Sequence, residues 1–464
     1  DASMISTHSM KSFCSRSKSS ALLLQARNRT PSMYANASIQ WPSVTLADGT
    51  EARLTQSGYT RYRSAPNRDD RKAVFDTFWA TWNEYANGMG ATLNAEVQSN
   101  VFQARARNFD SVLQQNMFND ALPEEIYGTL VDQVNTALPV FHRYLKLRAR
   151  MLDIDNLGYY DIYPPLIEAD TGVFDMERSK EITFEALQPF GDTYLSLLRH
   201  GLDQDWMHSH PQEGKRSGAY VSGWAYDVHP YVLLNHNDDY ESLSTLAHEW
   251  GHAMHTLYAA ESQPYDTANY AIFIAEIPST TLELVLQDYM VRNAQSDEER
   301  LFYLGSALES LRTTFFRQTM FAEFELALYE AAERGEALSG ERISTMYGEL
   351  LRRYHGHDDG VVIIDDLYAN EWMFVPHFYY NMYVFQYSTS QTAGTALYEN
   401  IVQEGEPAVE NFKNLLRAGG SDYPNALLTR AGVDLASPEP YRAVIRKMNA
   451  IMDQMEEILA RQEG

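Results

Sequence analysis

His248-Glu249-Trp250-Gly251-His252 sets two imidazoles four residues apart with a carboxylate between them. On a helix, positions i and i+4 lie one above the other, so both rings can reach one cation. The intervening Glu249 then stands beside an ion-bound water, where a carboxylate acts as general base. This HExxH spacing points to zinc-assisted hydrolysis. The surrounding segment Leu243–His255 supports it. At about 100° per residue, Leu243, Leu246, Trp250, Met254 and Leu257 fall on one face, and His248, His252 and His255 on the opposite one.

A catalytic zinc needs three protein ligands and an open position. A histidine six residues past His252 would complete HExxHxxGxxH, but position 255 is His and position 258 is Tyr. His255 is three residues from His252, yet three turns of one straight helix cannot surround an ion tetrahedrally. His255 is expected as a hydrogen-bonded histidine beneath the site. Glu276 is the better third ligand. It lies 24 residues beyond His252, room for a loop and the start of a second helix. Its neighbours are apolar, and a lone buried carboxylate is costly unless paired or metal-bound. Glu283, two turns further, is placed to accept a hydrogen bond from a ligand imidazole.

The elements around this motif read as helix. Helical spacing of Val74, Phe75, Phe78, Trp79, Trp82 and Tyr85 predicts one long helix over 69–109. Helix continues over 110–151, with breaks near Pro123 and Pro139, and returns over 175–202. The Gly-rich stretch 214–236 interrupts it, and Tyr231, Val232, Leu233, Leu234 and Asn235 read as a short strand. That strand is expected to offer an edge on which an extended peptide pairs. Further helices are expected near 276–293, 297–334, 340–355, 377–403, 406–418 and 438–461. The fold class is mainly α, with one small β-sheet near the HExxH helix. The expected organisation is a leader over 1–32, a helical N-terminal region over 33–152 and a catalytic domain over 153–464.

Composition narrows the function classes. The 464 residues are 44% hydrophobic, enough for a large core and more than one lobe. A net charge of −26 argues against nucleic acid and anionic membranes as partners. The single cysteine, Cys14, excludes disulfide frameworks and Cys-rich metal sites. No run of 18 apolar residues exists, and Ala21–Leu24 is too short for a secretory core. A cytoplasmic location is expected. His208 and His210 read as loop residues, and His355-Gly-His357-Asp-Asp359 as a polar loop.

Four segments together resemble the thimet oligopeptidase family of zinc metallopeptidases, on its oligoendopeptidase F branch. They are Gly214–Tyr220, Leu243–His255, Glu276–Ser279 with Glu283, and Glu371–Tyr387. The resemblance runs from about residue 32 to the C-terminus. It implies one zinc per chain on His248, His252 and Glu276, with Glu249 as base. It implies a two-lobed helical zincin of the gluzincin type, with a deep central cleft that admits short peptides. It also implies that His377 and nearby tyrosines, Tyr379 and Tyr383 among them, line the cleft opposite the zinc. There they would donate hydrogen bonds to the tetrahedral oxyanion. Phe385 stands where the family often has Tyr, and members usually carry a further helical segment before the point where this chain begins. The implied activity is endopeptidase cleavage of short unstructured oligopeptides. A metallocarboxypeptidase or dipeptidase on the same scaffold, or a catalytically weak peptide-binding remnant, are the alternatives.

Overall fold

The structure is a computed structural model that describes residues 34–463 apart from Trp224. The expected leader over 1–32, with Cys14 and Ala21–Leu24, lies outside the described residues. The described residues divide into two compact units. One takes in 34–116 with Asp153–Pro165 and Ala322–Tyr383. The other comprises Met117–Leu152, Leu166–Phe321 and 384–463. Contacts between distant segments decide the division, and no linker composition marks it.

In the first unit the expected long helix is two, Arg68–Asn83 and Ala86–Ala106. Asn67 caps the first by accepting from the Asp69 and Asp70 amides. Its predicted apolar face is real: Val74, Phe75, Phe78, Trp79 and Trp82 are fully buried. Tyr59 stacks on Phe78 with ring centroids 3.9 Å apart. At Tyr85 the amide bonds to Trp82 O, three residues back, and the chain re-aims. The new direction carries Gly90 onto Gly340, at the start of the Gly340–Tyr354 helix. A Cβ on Gly90 would sit 2.4 Å from Gly340 Cα, so only glycine permits this crossing. A hairpin of Ser43–Thr45 and Glu51–Arg53 forms a second small sheet that sequence patterning missed. Buried Glu371 accepts hydrogen bonds from the hydroxyls of Tyr159 (2.8 Å) and Tyr347 (2.6 Å).

The second unit is built on the HExxH helix, which spans Tyr240–Ser262. Asp239 caps it by accepting from the Ser242 amide. Leu243, Leu246, Trp250 and Met254 are fully buried, each contributing roughly 1.5–3 kcal/mol of burial. The helix packs on Ile272–Asn293, which in turn packs on Phe385–Glu404. Gly251 allows the first contact: a Cβ there would meet Ser279 Cα at 2.5 Å. The predicted helix over 377–403 begins only at Phe385. Before it, Asn381 (φ 51°) and Met382 (φ 61°) are left-handed, which a right-handed helix cannot accommodate. Phe385 itself is buried, packed against Tyr127 at 5.1 Å and Phe273 at 6.4 Å.

The sheet beside the HExxH helix corrects one expectation. Its strands are Met207–His208, Tyr220–Ser222 and Tyr231–Leu233, with the last in the centre. Tyr231–Leu233 pairs in parallel with the first and antiparallel with the second. Beyond it, the Leu234 amide donates to His208 O, the Lys215 ammonium bonds Leu234 O, and the Asn235 amide group bonds Arg216 O and Gly218 O. Tyr231, Val232, Leu233, Leu234 and Asn235 therefore offer no free edge. Among the described residues, the open edge nearest the HExxH helix belongs to Tyr220–Ser222.

Candidate active site

Three side chains from two helices converge in the second unit. His248 Nε2 and His252 Nε2 lie 3.2 Å apart, and each lies 3.2 Å from Glu276 Oε2. Ligands about 2.0–2.2 Å from one tetrahedral zinc stand about 3.3–3.6 Å apart, so this triangle has the size of a zinc site. The donor set, two imidazoles and a carboxylate, matches the same ion. His248 Nδ1 lies 3.1 Å from Glu283 Oε1. That hydrogen bond engages Nδ1 with the Glu283 carboxylate and turns Nε2 towards the triangle. Ser279, held against Gly251 by the helix crossing, donates to Glu276 Oε2 at 3.2 Å. Glu276 is about 41% exposed, so it is not the isolated buried carboxylate the sequence suggested; its partners are the two imidazoles.

The electrostatics follow from this closeness. Burial works against a charged His248, but the Glu283 and Glu276 carboxylates outweigh it and hold its pKa well above the usual imidazole range. Burial likewise pushes Glu276 up, and the hydrogen bonds from His248 and His252 overturn that and hold it low. Glu249 is different. It is buried, its Oε2 has no hydrogen-bond partner, and burial raises its pKa against the pull of His248 and His252. A buried carboxylate oxygen without a partner is the position of a group waiting for a substrate or water proton.

His255 falls outside the triad, and the hydrogen bond expected of it is absent. Neither ring nitrogen has a partner, and the fully buried ring stacks on Tyr270 at 3.5 Å. Burial, then the nearby His252, lowers its pKa to about 3, so it is neutral. The candidates of the 371–387 segment sit in the first unit. His377 is half-buried on the short helix Pro376–Tyr379, its ring parallel to that of Tyr383 at 6.2 Å. Tyr379 is withdrawn as a candidate donor: it is buried, and its hydroxyl bonds Thr92 Oγ1 at 3.0 Å. His355 and His357 serve backbone groups, Leu351 O and the Ile364 amide, as a polar loop would. Sequence patterning missed Thr256 and Ala260, which line the cavity around the triad, and Leu257, assigned to the core face, lines it too. The signal was present, since Thr256 and Ala260 continue the four-residue step of His248 and His252.

"Oligopeptidase PepF" of Bacillus subtilis is 40% identical over 438 residues; the match covers 94% of this chain and 65% of that protein. "Group B oligopeptidase PepB" of Streptococcus agalactiae is 36% identical, with 94% of this chain and 72% of that protein covered. This chain thus spans about two thirds of the length of these relatives. The crystal structure of oligoendopeptidase-F from Enterococcus faecium superposes with a TM-score of 0.77 at 30% identity, over 95% of this chain and 73% of that one. The family model of peptidase family M3 matches residues 61–447, a span that contains the triad, Glu249 and Glu283. The chain belongs to peptidase family M3 and is a homologue of the oligoendopeptidase F proteins.

Proposed function

We propose that this chain is a zinc-dependent endopeptidase that hydrolyses internal bonds of short, unstructured oligopeptides. The observation that carries the reading is the equilateral His248–His252–Glu276 triangle with the buried, unpartnered Glu249 oxygen beside it. One zinc held by His248, His252 and Glu276 would supply Lewis acidity and bring the pKa of a bound water towards neutrality. Glu249 takes the proton of the attacking water at its carboxylate and passes it to the leaving nitrogen. Glu283 orients His248 through Nδ1 and makes its Nε2 the better donor. An extended peptide pairs with the open edge of Tyr220–Ser222, a strand that lines the same cavity as Glu249.

For His377 and Tyr383, which the family resemblance nominates as hydrogen-bond donors, kinetics is the test. Tyr383→Phe is expected to lower kcat more than it raises KM, as for a contact made mainly in the transition state. A change confined to KM would assign the hydroxyl to ground-state binding instead. No helix among the described residues is long and apolar enough to cross a membrane. A cytoplasmic location accompanies this reading.

Substrate size is the direct test. A folded protein can bring its backbone to a buried carboxylate only by unfolding locally, at a cost approaching its global stability of about 5–15 kcal/mol. A short peptide meets no such barrier. One cleavable sequence is offered as a free decapeptide and as a loop of a stable folded domain. The free peptide is expected to be cut internally and the folded domain left intact. Comparable rates on both would refute a size-restricted oligopeptidase.

A further inference from the structure

The helical stripe that presents His248 and His252 runs on past the triad. Thr256 and Ala260 follow at the same four-residue step. Both line a cavity of about 490 Å³ that also contains His248, Glu249, His252 and Glu276. That volume is within the range of about 300–1,000 Å³ usual for ligand pockets. Two small residues make the helix surface recede there, on the side of the triad away from the helix N-terminus. The opposing walls are apolar or aromatic, with Val221, Val228, Tyr226 and Tyr265 prominent. Tyr226 is fixed by its hydroxyl, which donates to Gln263 O at 2.7 Å, and its ring meets that of Tyr265 edge to face at 5.7 Å. The Thr256 hydroxyl is already paired with the Tyr270 hydroxyl at 3.1 Å. Apart from the triad and Glu249, no Asp, Glu, Lys, Arg or His lines the cavity among the described residues. The unpartnered Oε2 of Glu249 marks where the reacting group must sit, so the cavity lies beside that point.

We propose that this cavity receives the substrate side chain next to the scissile bond and selects large apolar ones, aromatic above all, with Thr256 and Ala260 setting the size it admits. The inference deepens the proposed peptidase function and rests on it. A carboxylate or ammonium entering here gives up part of its hydration and finds no opposite charge except at the reacting centre itself. A glycine leaves the apolar walls without contact. An aromatic ring fills the space and meets the Tyr226–Tyr265 pair at its edge.

The experiment uses the full chain loaded with zinc and three decapeptides that differ at one position flanking the cut bond, carrying Phe, Ala or Asp. The wild-type protein is expected to favour Phe over Asp by tenfold or more in kcat/KM, in line with the roughly 10–200-fold that one methylene commands in an apolar pocket. Ala260→Phe occupies the cavity. It should lower the Phe-to-Ala ratio in kcat/KM at least about tenfold. Leu257→Ala, which enlarges the cavity, should shift preference towards a Trp peptide, and it serves if the thermal midpoint shows Ala260→Phe to be unfolded. An unchanged Phe-to-Ala ratio in the folded variant, or a wild type that favours Asp, overturns the proposal. Titration of the same peptides into Glu249→Gln and into Glu249→Gln/Ala260→Phe reads the ranking without turnover. If the wild type cuts none of the peptides, the peptidase reading falls, and this binding ranking still decides whether the cavity selects aromatic side chains.

Discussion

Glu249→Gln is expected to retain one zinc per chain and to lose about a hundred- to ten-thousand-fold in kcat. The substitution keeps the shape of the side chain and removes its capacity to accept a proton. Glu249 is buried, and its Oε2 touches no donor in the protein. Few contacts therefore depend on its charge, and fold and metal content should stay as they are. The triangle itself is made by His248, His252 and Glu276 without it. Metal analysis and steady-state kinetics on the same preparation read the two quantities together. Zinc lost along with activity would make Glu249 a ligand and would undo the assignment of roles.

His252→Ala is expected to lose most of its bound zinc, and activity with it. Removing an outer partner of a metal ligand already costs about 10–100-fold in affinity. Removing a ligand from a set of three should cost more, and the two remaining groups, His248 Nε2 and Glu276 Oε2, cannot enclose an ion. His255→Phe is the matched control. It removes an imidazole from the same helix, three residues away, and preserves the stack on Tyr270. It should keep its zinc. Full occupancy in His252→Ala, or loss in His255→Phe, would reassign the ligand set.

The parts of the site that sequence made legible are those governed by one helix at a time. His248 and His252 are four apart, Glu276 and Glu283 seven apart, and helical geometry alone sets each pair on one face. Ligand count then demanded a third donor, and Glu276 stood in the next helix. The buried face of Arg68–Asn83 was legible for the same reason. What stayed hidden depends on pairing between distant segments. Strands of two or three residues carry no periodicity, so the central place of Tyr231–Leu233 could not be read, and the open edge was assigned to the wrong strand. The Tyr379 hydroxyl was a candidate donor until Thr92, 287 residues earlier in the chain, was found holding it. The two units interleave along the sequence, whereas a reading by composition looks for contiguous blocks.

The crossing at Gly251 and Ser279 joins the two helices that carry His248, His252 and Glu276, and both helices have their apolar faces in the core of the second unit. An ion bound there is a ligand of the native state alone, because the unfolded chain does not hold these three groups together. By mass action it raises the unfolding free energy by RT ln(1 + [L]/Kd), about 2.7 kcal/mol at one hundred times Kd. If the proposed zinc site holds, zinc supply would govern how long the folded chain survives as well as how many chains can turn over substrate. A chain starved of the ion would be exposed to the same proteolysis that, when loaded, it would help to complete.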